Sequence, residues 1–205
     1  ERLYDMTRDP GQRRNVAAQQ PQTATRLREA VAAWKRQLLP GSDRSDRPFP
    51  LGDPVFRYTQ LPARDGVVEG GIRRSNRYPN CSFFTNWTRT DDRIHWDVEI
   101  RQAGTYQVEI YYSCSTADVG SRIELRHGES VLAGRVAVGH DPPLRGAERD
   151  RVKRTESYVK DFRSLRLGTM LLEAGRGRLT LRATEIPGSQ VMDFRLLMFT
   201  RVGSE

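Results

Sequence analysis

Long apolar runs are missing from this 205-residue sequence. No stretch approaches the roughly 20 residues that a membrane-spanning helix needs. Cysteine is scarce, with only two residues, and histidine numbers three. His95, His127 and His140 are too far apart for a zinc motif, and no H-x-x-x-H or C-x-x-C pair accompanies them. Each therefore reads as a surface or hydrogen-bonded histidine. Also lacking is any triple of nucleophile, base and orienting group, so the sequence offers no hydrolytic machinery. Glu1-Arg2-Leu3-Tyr4-Asp5 has neither an initiator Met nor an apolar leader, and the expectation is a piece of something longer with no visible targeting signal.

What is present is a basic balance of +8, a pI near 10.0 and a hydrophobic content of 37%, enough for one real core. The charge raises the question of a polyanionic partner, but from Arg145 to Arg166 bases and acids are interleaved, as on a solvated, mildly basic surface. Arginine far outnumbers lysine, which suits bidentate recognition of sulfate or carboxylate and equally suits codon bias. Nucleic acid fits weakly: no recognition helix or aromatic strand pattern for RNA appears. Cys81 and Cys114, if oxidised, would close a loop of about 33 residues and contribute about 3 to 4 kcal/mol. The pairing depends on an extracytoplasmic location.

The strongest local signal is Ile94, Trp96, Val98 and Ile100 alternating with polar residues, then Ala103-Gly104, then Tyr106, Val108 and Ile110 alternating again. This period of two predicts two half-buried antiparallel strands, a central hairpin of a β-sandwich with Trp96 in its core. Further short strands are expected at 56–61, 67–68, 72, 122–125, 131–138, 164–167, 170–172, 178–183 and 190–199, without helical periodicity. The fold class is therefore mainly β, a jelly-roll sandwich over residues 56–203. Ala174-Gly175-Arg176-Gly177-Arg178 reads as a hairpin turn because no helix follows it. Residues 139–159 form one long insertion without predicted structure, a length that favours a functional segment.

Residues 1–40 differ in kind. Leu3-Tyr4-Asp5-Met6 reads as a strand end and Thr7 to Gly11 as a turn. Ala24, Leu27, Ala30, Val31, Trp34 and Leu38 then recur as the stripe of an amphipathic helix, with Pro21 in its first turn and Pro40-Gly41 as its stop. Such a helix cannot bury its stripe alone. Residues 41–55 read as a polar, Pro-punctuated linker.

Two resemblances rest on these residues. The run from Glu1 through Leu3-Tyr4-Asp5-Met6, Asp9-Pro10-Gly11 and Asn15-Val16-Ala17, then Gln20-Pro21 and a helix ending near Trp34, resembles the C-terminal tail of the formylglycine-dependent sulfatases. It implies that the chain is the end of a secreted or periplasmic bacterial sulfatase whose catalytic part, with its calcium and formylglycine, lies elsewhere. The family's nucleophile motif needs Pro two residues after its Cys, and here Phe83 and Thr116 follow the two cysteines. Alone, the chain is expected to be no enzyme.

The second series is Asp97 to Ile100, Ala103 to Tyr106, Gly120 to Leu125, Leu172 to Gly175, Leu179 to Leu181 and Val191-Met192-Asp193-Phe194. It is similar to the galactose-binding-like jelly-roll carbohydrate-binding modules. This implies a glycan-binding or cleft-shaping role on sulfated glycans, with a structural calcium held by Asp193 and, less well aligned, Glu69. A calcium ion wants six or more oxygens, more than those two supply. Val191-Met192 replaces the polar residue often found before that Asp. For the sugar, Tyr78 and Trp87 are the stacking candidates, with Arg73, Arg74 and Arg77 to meet sulfate or carboxylate. The competing reading has Phe83, Phe84 and Trp87 plugging the sandwich end against the enzyme body, and the whole module serving only structure or oligomerisation. Asp91-Asp92 and Asp118 default to turn-forming aspartates.

Overall fold

The computed structural model describes residues 1–38, 47–78, 80–152, 154 and 158–203. They divide into two compact units, residues 1–47 and 48–205. The expected helix stop at Pro40-Gly41 and most of the expected linker lie outside the described residues.

In the first unit, helix α1 spans Pro21–Leu38. Leu3 to Asp5, read as a strand end, is irregular and leads into a turn. Three side chains explain that turn. The carboxylate of Asp5 accepts from the backbone N–H of Thr7 and Arg8, Asp9 from Arg13 and Arg14, and the Asn15 carbonyl from Leu3 and Ala17. Short polar side chains thus supply acceptors alongside the backbone bonds of the turn, such as Asp9 N to the Asp5 carbonyl at 2.7 Å. Asp9 is held below its ordinary pKa by those two N–H donors. Arg28 forks onto Glu1 at 2.7 and 3.0 Å, tying the helix to the start of the unit. Leu27, Val31, Trp34 and Leu38 remain exposed, Trp34 by 59%.

The second unit is a sandwich of two sheets. Its strands are β1 (Phe49–Leu51), β2 (Tyr58–Pro62), β3 (Val67–Glu69), β4 (Arg73–Arg74), β5 (Phe84–Thr85), β6 (Arg93–Ile100), β7 (Gly104–Ser113), β8 (Arg122–His127), β9 (Ser130–Arg135), β10 (Arg163–Leu172), β11 (Gly175–Glu185) and β12 (Asp193–Arg201). Sheet I runs β1-β6-β11-β8-β9 with β3 also on β6; sheet II runs β10-β7-β12-β5-β4 with β2 also on β12. The mainly β jelly-roll reading holds.

Several expectations change. Residues Phe49 to Leu51, assigned to the linker, form a strand parallel to β6. The two long alternating strands are no hairpin: β6 belongs to sheet I and β7 to sheet II, so the chain arches across the core between them. Their apolar sets, Ile94, Trp96, Val98 and Ile100 against Tyr106, Val108 and Ile110, are all buried in the one core. The strands expected at 164–167 and 170–172 are one strand, β10, with a register shift between Arg166 and Gly168 where Gly168 takes φ +139°. The turn expected at Arg176-Gly177 falls earlier, at Glu173-Ala174, between the ends of β10 and β11.

Candidate functional site

Asp92 shows how the end of the sandwich near β4 and β5 is built. Fully buried, it accepts from the backbone N–H groups of Gly71 at 2.7 Å, Arg89 at 3.1 Å and Thr88 at 3.3 Å. Gly70 must be glycine here: at φ +88°, a Cβ would sit 2.0 Å from an Asp92 carboxylate oxygen. Asp118 does the same for another loop, accepting from Ser189 N at 2.7 Å, Ser189 Oγ and Ser115 Oγ at 2.8 Å. Burial alone would raise the Asp118 pKa, but these bonds hold it below the ordinary value. Both aspartates are turn anchors.

Between β4 and β5 the described residues 75–78 and 80–83 belong to a loop. Its neck is closed by Ser75 N to the Phe83 carbonyl at 2.9 Å and Phe83 N to Ser75 Oγ at 3.1 Å. At its tip the Asn76 side chain accepts from Tyr78 N at 3.0 Å, and the Arg77 guanidinium lies 4.7 Å from the Tyr78 ring centroid while donating to its hydroxyl. Tyr78 is half-buried, and Arg77 and Arg73 are exposed. A rigid aromatic with a guanidinium laid on it is thus displayed at a loop tip.

The other two members of the expected set stand elsewhere. Trp87 is 1% exposed and part of the core, its carbonyl taking Val191 N at 2.8 Å, so it cannot serve as a stacking platform. Phe83 and Phe84 are buried as well, within the sandwich's own residues. Arg74 turns over the Phe84 ring, 5.4 Å from its centroid, and donates to the carbonyls of Arg64 at 2.6 Å and Gly66 at 3.4 Å. That commits it to covering the sandwich edge.

The expected calcium ligands do not converge. Glu69 lies on sheet I, 3.6 Å from His95 Nδ1, while Asp193 opens β12 on sheet II. The partner of Asp193 is an ammonium: Lys160 Nζ stands 2.8 Å from Asp193 Oδ2, 2.8 Å from Asp141 Oδ1 and 3.3 Å from Ser113 Oγ, with the Phe83 ring 5.8 Å away. Burial would lower the Lys160 pKa, but the two carboxylates raise it. Among the described residues no group of three or more His, Cys, Asp or Glu side chains is placed to hold a metal ion. These residues do not fit a calcium site, because a lysine already neutralises the carboxylate that would bind it. Lys160 and Asp141 lie in or beside the segment read as unstructured. The described residues of that segment are tied down by the backbone pairings His140–Cys114 and Arg145–Val159 and by Asp150 to Arg154 at 2.6 Å.

Cys81 and Cys114 are free thiols rather than a disulfide. Cys114 is buried just beyond β7, its Sγ turned to the Ser115 carbonyl at 3.3 Å, and burial followed by the nearby carboxylates of Asp118, Asp141 and Asp193 pushes its pKa up to about 11. It is an inert thiol at neutral pH. His127 is also less wet than expected: its Nε2 is buried with no hydrogen-bond partner among the described residues, and burial lowers its pKa.

No protein-family model matches the chain. No curated protein matches it. Among solved structures it is similar to the Podospora anserina GH26-CBM35 β-(1,4)-mannanase, at 14% identity and a TM-score of 0.51 over 72% of this chain and 28% of that one. The mosquito-larvicidal Cry4Aa toxin of Bacillus thuringiensis gives the same identity and score over 72% of this chain and 24% of the toxin. A family 35 carbohydrate binding module from Clostridium thermocellum aligns at 13% identity with a TM-score of 0.47, over 71% of this chain and 98% of the module. The chain thus spans about a quarter of the mannanase and of the toxin. Identities this low establish the jelly-roll sandwich as a fold shared by a glycan-degrading enzyme and a toxin.

Proposed function

We propose that this chain is a non-catalytic C-terminal region of a sulfatase acting on sulfated glycans, and that its sandwich binds glycan through the loop of residues 75–83. The observation that carries the binding role is the Arg77–Tyr78 pair at the tip of that loop, with Arg73 exposed on the strand that leads into it. An aromatic face stacks on the apolar face of a pyranose, and a guanidinium fork takes a sulfate or carboxylate on the same sugar. The GH26-CBM35 mannanase among the similar structures favours this choice of ligand.

The sulfatase context rests on the tail resemblance and on α1. Its exposed stripe of Leu27, Val31, Trp34 and Leu38 is the face a catalytic body would cover. A periplasmic or secreted location follows from the same resemblance. The second reading, a module serving only structure, is favoured by the burial of Trp87 and Phe83, which leaves Tyr78 as the one aromatic of the run at the surface side of the loop.

The test is calorimetric titration of the full chain against chondroitin sulfate and dextran sulfate and against unsulfated chondroitin and dextran. Tryptophan emission would report poorly on this loop, because Trp87 and Trp96 are both buried and the exposed Trp34 belongs to the other unit. Saturable binding that Tyr78→Ala abolishes supports the glycan reading. Titrations flat for every polymer leave the structural reading in its place.

A further inference from the structure

The outer face of sheet I carries an ordered array of arginines. Register places side chains in rows across the strands: Glu99 with Arg176, Asp97 with Arg178, His95 with Thr180 and Arg126, Arg93 with Arg182 and Glu124, and Glu185 with Arg122 and Arg135. On the β6 side of this face acids and bases alternate, with Arg176 on Glu99 at 3.1 Å and Arg178 on Asp97 at 3.3 Å. On the β8–β9 side the carboxylates run short. Glu124 is shared between Arg182 at 3.0 Å and Arg126 at 3.3 Å, Glu185 takes Arg122 at 2.9 Å, and among the described residues no carboxylate pairs with Arg135, which donates only to the Gly120 carbonyl at 3.3 Å.

Arg122 and Arg135 stand directly opposite one another on β8 and β9. Like charges in that position destabilise a sheet, and Glu185 relieves only the Arg122 side of the pair. Beside the pair is a depression of about 350 Å³ lined by Arg122, Glu124, Ala133, Arg135 and Thr184. It exists because Ala133, opposite Glu124, is too short to fill the face. Arg122, shared with Glu185, and Arg135, engaged only at its Nε, thus border an unfilled hollow beside the Thr184 hydroxyl, which donates to the Arg122 carbonyl at 3.4 Å; guanidinium groups with N–H donors to spare are what an oxyanion needs.

We propose that this depression on the β8–β9 hairpin is an anion subsite for a sulfate ester or carboxylate of an acidic polysaccharide, held between Arg122 and Arg135. The choice of polymer rests on the glycan reading above, but the surface is a different one. A sugar chain fits better than a nucleic acid. The outward positions of β6, β8, β9 and β11 carry no ring larger than His95 on which bases could stack.

The experiment titrates the full chain, its Arg122→Gln/Arg135→Gln variant and its Tyr78→Ala variant with dextran sulfate, dextran, chondroitin sulfate and unsulfated chondroitin at two salt concentrations. The expected result is that the double variant binds dextran sulfate at least about tenfold more weakly, with a shallower salt dependence, while its melting curve overlays the wild type. Arg135→Lys, which keeps the charge and loses the fork, should fall between the two. A preference for chondroitin sulfate over chondroitin that the double variant loses assigns the hollow to sulfate, and equal binding that the double variant loses assigns it to carboxylate. Wild-type affinity in the double variant overturns the inference, as does duplex DNA displacing dextran sulfate as well as dextran sulfate displaces itself. A silent double variant beside an inactive Tyr78→Ala sinks this subsite and keeps the loop reading. Absence of binding to any polymer removes both.

Discussion

Lys160 and the arginines of sheet I show two uses of positive charge in one sandwich. Lys160 is 16% exposed in its side chain and is committed to two carboxylates and a hydroxyl, one of those carboxylates on Asp193 itself only 12% exposed. Arg176 and Arg178 are 72% and 58% exposed and touch one carboxylate each. Buried charge is costly unless every partner is present, so it is fixed in place and serves structure. Exposed charge is screened and loosely held, contributes little to folding, and stays available to a ligand.

The largest effect should come from breaking the buried side of that contrast. Lys160→Met leaves Asp193 without its cation and should cost about 2 kcal/mol, a fall of roughly 5 °C in melting temperature. Adding Asp193→Asn should recover part of the loss. Chelator or added calcium should leave the wild-type melt unmoved; a melt that calcium raises would refute the lysine assignment. Because the Lys160 pKa is raised, its contribution should be complete below the ordinary lysine value and disappear only as pH rises through the folded value.

A smaller loss, about 1 kcal/mol, is expected for Asp118→Asn in urea unfolding at pH 7. The Asp118 pKa is depressed in the fold, so the gap between variant and wild type should be full above the ordinary aspartate value and close as pH falls through the folded one. The gap should not close on raising pH. Smallest of all, Arg176→Gln should change stability by less than about 0.5 kcal/mol, and 1 M salt should erase even that. If it costs as much as Lys160→Met, the contrast fails. Tyr78→Ala belongs with this last class in stability, within about 0.5 kcal/mol, though not in ligand binding.

Which parts of this were legible in the sequence follows from what local pattern records. Alternation at Ile94 to Ile100 and Tyr106 to Ile110 reports that one face of each strand is buried. A hairpin and an arch across the core bury the same residues, so the pattern could not say that β6 and β7 lie in different sheets. Trp87 sits outside any alternating run, and its burial is decided by Val191, more than 100 residues along. Nothing near Trp87 announces that contact. Asp193 was found by resemblance, but its partner Lys160 came from a stretch whose mixed charges look like solvated loop. The turn aspartates were readable, because Asp92 and Asp118 act on residues in or near their own turns as well as on distant ones.

Strand β12 lies inside sheet II, paired with β7 on one side and with β5 and β2 on the other. Until Asp193–Arg201 has been synthesised, β2 and β5 have no strand connecting them to β7, and Phe194, Leu197 and Phe199 are absent from the core. A nascent chain emerging from the ribosome therefore holds sheet II open along its middle, with apolar edges exposed, until nearly the whole sandwich is out. Closure waits on pairing across well over a hundred residues, the non-local kind of contact that slows folding.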